Sequence, residues 1–509
     1  MDITWLFWLF FKLALYLFVF ILALYIGREL IVYHNLSYFK RQGVKCIYIP
    51  VIGVAGLFLK KKGQHNQLAT MKQVFEDNKN EPLFMMNSSK MTKSTGYLLD
   101  EALIKEFFVK EIECAKKVEL IRHLNLGIFF TNGQKVTDAR SAYGKLFNYD
   151  NLKKMLVPIN KIIVERLKNF SESKLSKTEY TQVNIKDLMN EVICDIINSI
   201  LFGEDEHHTF EGKDLPAAIE DMVHEFFHIS SDPINALAFD YLHNFLLFPR
   251  SRRLLEKGKR LEDKCWEIYQ KRLREGPKCF SNVLDVLIEK NAEMRAEGRP
   301  EMTKKEITGQ IIMMQFAGSD TSLETTASSM ILMARDQSVQ ENLRHVVDNA
   351  IGSKPKDAIL TYEELDASAE LDQYCNEFLR LGAPAPSTTP REFIKPTKLG
   401  NYNFRVGDRI LVPVALMHTF SKYNESPYEF KPSRFTKENQ AKTSRAAFIP
   451  FSLGRRNCVG KALGELLVKT LLVHCVRFFD VRADPAHTET KFVGLVYGYE
   501  NPSVLMRAL

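Results

Sequence analysis

What this 509-residue sequence lacks narrows it before anything it contains. It has no C-x-x-C pair. Its eight cysteines, at 46, 114, 194, 265, 279, 375, 458 and 475, have spacings that suit neither a zinc site nor a disulfide framework. The bulk of the chain therefore reads as belonging to a reducing compartment, with most cysteines as small buried hydrophobes. Tryptophan is scarce, 3 residues against 35 phenylalanines. There is no internal repeat, no low-complexity linker and no break in composition, which points to one body although the length alone would allow about three domains. The net charge of +7 is spread along the chain without a basic tail, and no nucleic-acid motif occurs. Nucleic acid is therefore discounted, and a membrane surface or an acidic protein partner fits the charge better. An Arg-rich, apolar-poor transit segment is missing too.

What is present begins at the N-terminus. Residues 5–26, WLFWLFFKLALYLFVFILALYI, are apolar apart from Lys12. As a helix the run reaches about 33 Å, enough for a hydrocarbon core of about 30 Å. It is too long for a cleaved signal, starts with Asp2 instead of basic residues, and is followed by Gly27-Arg28-Glu29, a poor cleavage site. Lys12 can snorkel toward an interface. Arg28, Lys40, Arg41, Lys45 and Lys60–Lys62 lie downstream, so the positive-inside rule places the body in the cytoplasm. The expected division is an anchor helix over 1–27, a linker over 28–45 and one folded body over 46–509.

Helical periodicity dominates from about residue 70 to 380, with strand-like runs at 45–53, 402–414 and 491–509. The basic stretch 250–264 reads as a solvated helix face. The fold class is mainly α with small β-sheets.

Three segments carry chemistry. In FSLGRRNCVGKALGELL (451–467), Leu463, Leu466, Leu467 and Leu471 recur at helical spacing, so Cys458 lies at or just before a helix N-terminus. The helix dipole and free amides favour a thiolate there. Gly454 and Gly460 bring no side chain, and Arg456 could pair with a carboxylate. A buried cysteine in a glycine-containing loop is the plain alternative. In the second, AGSDTS (317–322), Gly318 falls inside a helical run that starts at the capping box TKKE (303–306) and continues to about Arg335. A glycine in mid-helix costs about 1 kcal/mol against alanine and wants a reason. A helix break and restart at TSLE (321–324) would also explain it. In the third, Glu377 and Arg380 stand three apart on one helix face, a spacing that surface pairs share.

Together these segments resemble the cytochrome P450 family of heme-thiolate monooxygenases. Phe451, Gly454, Arg456, Cys458 and Gly460 match its F-x-x-G-x-R-x-C-x-G loop, and 317–321 match its A-G-x-D-T groove. Glu377, Arg380 and Arg434 match its structural triad, the last within EFKPSRF (429–435). The resemblance implies a cytochrome P450 fold, a single large heme-binding domain holding heme b, with Cys458 as the iron ligand. It implies that Phe451, Gly454 and Arg456 line the cofactor and that Arg391 and Arg140 grip its propionates. Asp320 and Thr321 would be catalytic in delivering protons, and Gly318 would leave room for oxygen. The segment around Arg140 departs from the family pattern, with Val136 where tryptophan is usual.

The resemblance further implies electrons from NADPH through a flavoprotein reductase, or a cytochrome b-type donor. It also implies a hydrophobic substrate (lipid, sterol or xenobiotic) and a single-pass anchor in the endoplasmic reticulum membrane. Pocket walls would come from 125–130, with Phe129 and Phe130 as lids, and from 384–389 and 496–503. Two competing readings are a heme-thiolate isomerase or dehydratase acting on hydroperoxides, and a membrane-tethered heme or lipid carrier without turnover.

Overall fold

The computed structural model describes residues 3–50, 73–87, 94–118, 127–203, 207–231, 249–277, 280–487, 490–493, 496–499 and 501–509. Lys60–Lys62, Cys279 and parts of the expected pocket walls lie outside them. One long helix, Lys304–Arg335, organises the rest. Its start is fixed by the expected capping box: Thr303 accepts from the Glu306 N–H while the Glu306 carboxylate accepts from the Thr303 N–H. It runs unbroken through Gly318 and Thr321, so there is no restart at 321–324. Around it pack the helices Ile185–Phe202, Leu215–Ser231, Gly127–Phe130 and Lys461–Phe478. All of them contribute to the larger of two hydrophobic clusters.

The second cluster belongs to a six-stranded sheet. Its order is Lys45–Ile47, Leu83–Asn87, Ser94–Leu98, Arg409–Leu411, Arg391–Phe393, Ala115–Lys117. The last two strands are antiparallel and far apart in sequence, and their register sets Lys117 opposite Arg391. A three-stranded sheet of Phe479–Ala483, Ser503–Ala508 and Thr181–Asn184 closes the far side of the helical core.

The N-terminal helix differs from expectation. Residues 28–40 of the expected linker continue the helix, which runs without interruption from Ile3 to Lys40. Its segment Phe7–Lys40 has a mean hydropathy of 2.5 in its most apolar window and none of that window is buried, which makes it a candidate membrane span. Its last turns do the opposite: Val32, Leu36 and Phe39 are buried in the sheet-side cluster. Phe39 packs against Phe404 at 5.5 Å, and the Arg405 guanidinium lies over the Tyr38 ring at 4.1 Å. The basic stretch 250–264 lies on the helix Pro249–Glu275 and is largely paired outward, as Arg250–Glu225 and Arg260–Glu211.

Candidate functional site

Along the central helix from Ile307 to Ile331 every residue is buried except Met314, Ala317, Gly318 and Thr321. These four recur at helical spacing, so they form the one partly open face of this buried stretch. Thr321 donates its hydroxyl to the Ala317 carbonyl at 2.7 Å, one turn back. Thr325, Thr326 and Ser329 repeat that bond to Thr321, Ser322 and Thr325. Gly318 is on the open face, but its missing side chain answers a different demand from the one expected. A Cβ there would lie 2.8 Å from Cδ1 of Ile197. Close packing of two helices, and not oxygen clearance alone, requires glycine at this position.

Cys458 precedes the helix Lys461–Phe478, whose first residue follows Gly460. Its N–H donates to the Phe451 carbonyl at 2.8 Å, which closes the loop. Of the described cysteines it alone carries exposed surface, the others being buried or half-buried. Its sulfur is nevertheless surrounded by protein. Burial raises its thiol pKa; an N–H bond from Gly460 and the charges of Lys117 and Arg140 oppose the rise. A metal centre would complete the deprotonation, since coordinated thiols are held as thiolates.

Gly454 has φ of +74°, where a side chain is strained, and a Cβ would lie 2.8 Å from the Phe108 carbonyl oxygen. Its constraint is therefore the turn and the neighbouring helix Glu101–Cys114. Phe451 packs over Gly464, whose Cβ would be 3.3 Å from its ring.

Beside the cysteine stands a concentration of positive charge. Arg140 donates to Asn457 Oδ1 at 2.7 Å and to its carbonyl at 2.9 Å. Arg456 donates to the Thr131 carbonyl at 2.8 Å and the Asn132 side chain at 3.3 Å. Arg391 pairs with Glu111 and the Thr389 carbonyl. Lys117, which sequence reasoning missed, joins them across the sheet and lies over the Phe129 ring at 4.7 Å. Burial and then the neighbouring Arg391 depress the Arg456 guanidinium to about 10. Burial, Arg391 and Arg456 together hold the Lys117 ammonium well below its ordinary range.

Like charges facing across a sheet are destabilising, and isolated buried charges more so. Glu111 pairs with Arg391, and its second oxygen is buried without a hydrogen-bond partner. Lys117, Arg140, Arg391 and Arg456 are thus electrostatic neighbours grouped beside Cys458, an arrangement suited to a large ligand with carboxylate groups and a thiolate-seeking centre. Val136, at the unusual position, is simply buried on the helix Gln134–Leu146.

Glu377, Arg380 and Arg434 lie together. Arg380 donates to both oxygens of Glu377 at 2.7 and 2.8 Å, and Arg434 reaches Glu377 at 3.4 Å. Glu377 and Arg380 are fully buried, and Arg380 also binds the carbonyls of His418 and Pro427. These bonds tie the helix Ala369–Leu381 to the chain leading into the cysteine loop, which is a structural role.

Asp320 is buried, off the partly open face, and is hydrogen-bonded to His224 at 3.0 Å, a partner that motif reasoning did not supply. No spacing rule could find it, because the two residues lie 96 positions apart.

Residues 49–503 match the family model described as Cytochrome P450. Cytochrome P450 9e2 of Blattella germanica is 27% identical over 76% of this chain and 77% of its own length. Cytochrome P450 6j1 of the same organism is 25% identical over 88% of each. Among solved structures, "Retinoic acid bound cyanobacterial CYP120A1" superposes with a TM-score of 0.72 at 19% identity, covering 92% of this chain and 99% of that one, a likeness of fold. The chain is a member of the cytochrome P450 family.

Proposed function

We propose that this chain is a membrane-anchored heme-thiolate monooxygenase. In this reading one atom of O2 enters a hydrophobic organic substrate and the other leaves as water, with two electrons from NADPH delivered by a flavoprotein reductase. The family implies heme-iron binding, and the observation that carries the specific assignment is the grouping of Cys458 with four basic side chains. Cys458 would hold the iron of heme b, and Arg140, Arg391, Arg456 and Lys117 would hold its propionates. Bound there, the heme supplies the activation of oxygen.

The protein's own contributions are positional. Met314, Ala317 and Thr321 offer a face that is apolar but for one hydroxyl, which suits a hydrophobic substrate and excludes bulk water. Thr321 and Asp320, adjacent on the same helix, would support delivery of the protons that the reaction consumes. Phe129 and Phe130, in edge contact at 4.9 Å, stand beside Lys117 at the propionate end. Arg455 is exposed next to the cysteine loop, where an acidic reductase surface could dock. The long apolar N-terminal helix supports a single-pass anchor, and the endoplasmic reticulum is the compartment we assign to it.

The ferrous carbon-monoxide complex tests the ligand. The wild type should give a thiolate-type Soret band, and Cys458→Ser should lose it. A thiolate-type band that survives this substitution overturns the assignment. NADPH consumption with added reductase separates the monooxygenase from a hydroperoxide isomerase or a carrier, neither of which needs it.

A further inference from the structure

The bond between His224 and Asp320 belongs to a larger group that runs from half-buried Glu220 and His224 to buried Asp320. Glu220 and His224 are four residues apart on the helix Leu215–Ser231, so they project from the same face. One ligating atom from each of Glu220, His224 and Asp320 falls within 4.8 Å of the other two. Lys186, in the first turn of Ile185–Phe202, pairs with Glu324 at 2.5 Å, and Glu324 stands one turn beyond Asp320 on the central helix. The C-terminal hairpin covers Glu324: the Tyr499 N–H donates to it at 3.2 Å, and a Cβ at Gly498 would strike its carboxylate. The His224 ring meets Phe316 edge-on at 5.9 Å, and the exposed Asp221 is the remaining nearby charge.

Three carboxylates thus share one lysine, and with every acid ionised and His224 neutral the group would carry an excess of two negative charges. Burial makes that state costly, so the group retains protons near neutrality. Burial, then repulsion from Asp320, pushes the Glu220 carboxyl up to about 7. Burial disfavours the His224 imidazolium, but the bond to Asp320 overrides it and raises the His224 pKa. Exposure is graded along the same path: the His224 side chain is 30% exposed and that of Asp320 3%.

We propose that Glu220 and His224 form a proton inlet, taking protons from solvent and passing them inward to Asp320. The inlet rests on the monooxygenase reading, because that reaction consumes protons beside Thr321. Each proton that leaves Asp320 is replaced by one from the His224 ring nitrogen. His224 is recharged by Glu220 or by water at its exposed edge, so the group returns to its starting state after each transfer. Both residues act through Asp320 and are positioning residues, not catalytic ones.

The test uses the heme-loaded full chain with an NADPH-dependent flavoprotein reductase in phosphatidylcholine vesicles. Oxygen reduction to hydrogen peroxide without added substrate consumes one NADPH and one proton, so no substrate need be known. The wild-type rate should fall as pH rises above 7, where Glu220 loses its proton, and should slow in D2O. His224→Gln should slow NADPH oxidation about tenfold and enlarge the solvent isotope effect, with the carbon-monoxide spectrum unchanged. Glu220→Gln should remove the limb above pH 7. Independently of turnover, NMR of 13C-histidine protein should show His224 titrating above 6.5 and returning toward it in Asp320→Asn. Unchanged rate, pH profile and isotope effect in His224→Gln, or titration of His224 at or below 6.5, would overturn the inlet alone. A wild type that forms the thiolate complex yet oxidises no NADPH overturns the monooxygenase reading and the inlet with it.

Discussion

At the scale of single residues, the site is built from groups held in states they would not choose in water. Lys117 is the clearest. The pairing of Ala115–Lys117 with Arg391–Phe393 sets two basic residues face to face, with Glu111 offsetting only part of the charge. Lys117→Met should therefore stabilise the heme-free chain by about 1 kcal/mol in urea titrations. In the loaded protein the same change should speed heme loss at least about tenfold, followed by transfer to apomyoglobin. His418 and His474 are held neutral. Burial and then Arg380 lower the pKa of His418 to about 3, and burial and then Arg477 lower that of His474 to about 4. His418 accepts the Ile449 N–H, and His474 bonds Asn160 at 2.8 Å. In the unfolded chain both would titrate near 6.5, so protons bind the unfolded state preferentially below that pH. Stability is then full above about 6.5 and falls on acidification, by about 1.4 kcal/mol per pH unit for each histidine. Urea midpoints between pH 7 and 5.5 check the slope, which His418→Asn should reduce.

At the scale of elements, the central helix shows what a sequence can and cannot reveal. Its capping box, its span and the A-G-x-D-T motif were all readable, because caps, periodicity and motif spacing are local. The triad was readable for the same reason, three short motifs in fixed order. The loop around Cys458 was legible as a motif, yet the reason for Gly454 was not, since it depends on Phe108 some 350 positions away. Lys117 was missed because nothing local says that a three-residue strand will pair with another 270 positions later. His224 and Glu220 escaped notice on the same ground. Gly318 is instructive: the sequence asked why glycine stands in mid-helix, and the answer is Ile197 on a neighbouring helix. Gly318→Val should cost about 1–3 kcal/mol from overpacking, against which Ile197→Ala in the same chain should recover part. A double-mutant cycle by chemical denaturation measures the coupling, and strict additivity would show that Ile197 is not the obstacle.

At the scale of the whole molecule, the two hydrophobic clusters divide the labour. The helical one carries the partly open face of the central helix, and the sheet beside the other carries Lys117 on its edge strand and Arg391 on the strand next to it, while that cluster receives the end of the N-terminal helix. This gives truncation a sharp boundary. Removal of residues 2–27 takes away exposed apolar surface and should leave a folded body that needs less detergent. Removal of residues 2–40 also deletes Val32, Leu36 and Phe39, each buried side chain contributing about 1.5–3 kcal/mol. That form should melt at lower temperature or aggregate, and scanning calorimetry of the two distinguishes them. Equal melting temperatures would mean that the last turns are dispensable.

The unbroken helix has a mechanical consequence. A transmembrane span joined to its domain by a flexible strap lets the domain tumble above the lipid and approach the surface at any angle. Here the segment that would cross the bilayer continues as one helix, from Ile3 to Lys40, into residues buried in the hydrophobic core. Span and body would then behave as one lever. A tilt of the helix in the lipid would be transmitted to the body, and the height and facing of its mouth would follow the thickness of the membrane. A thinner or thicker bilayer would re-aim the mouth without altering a single contact inside it.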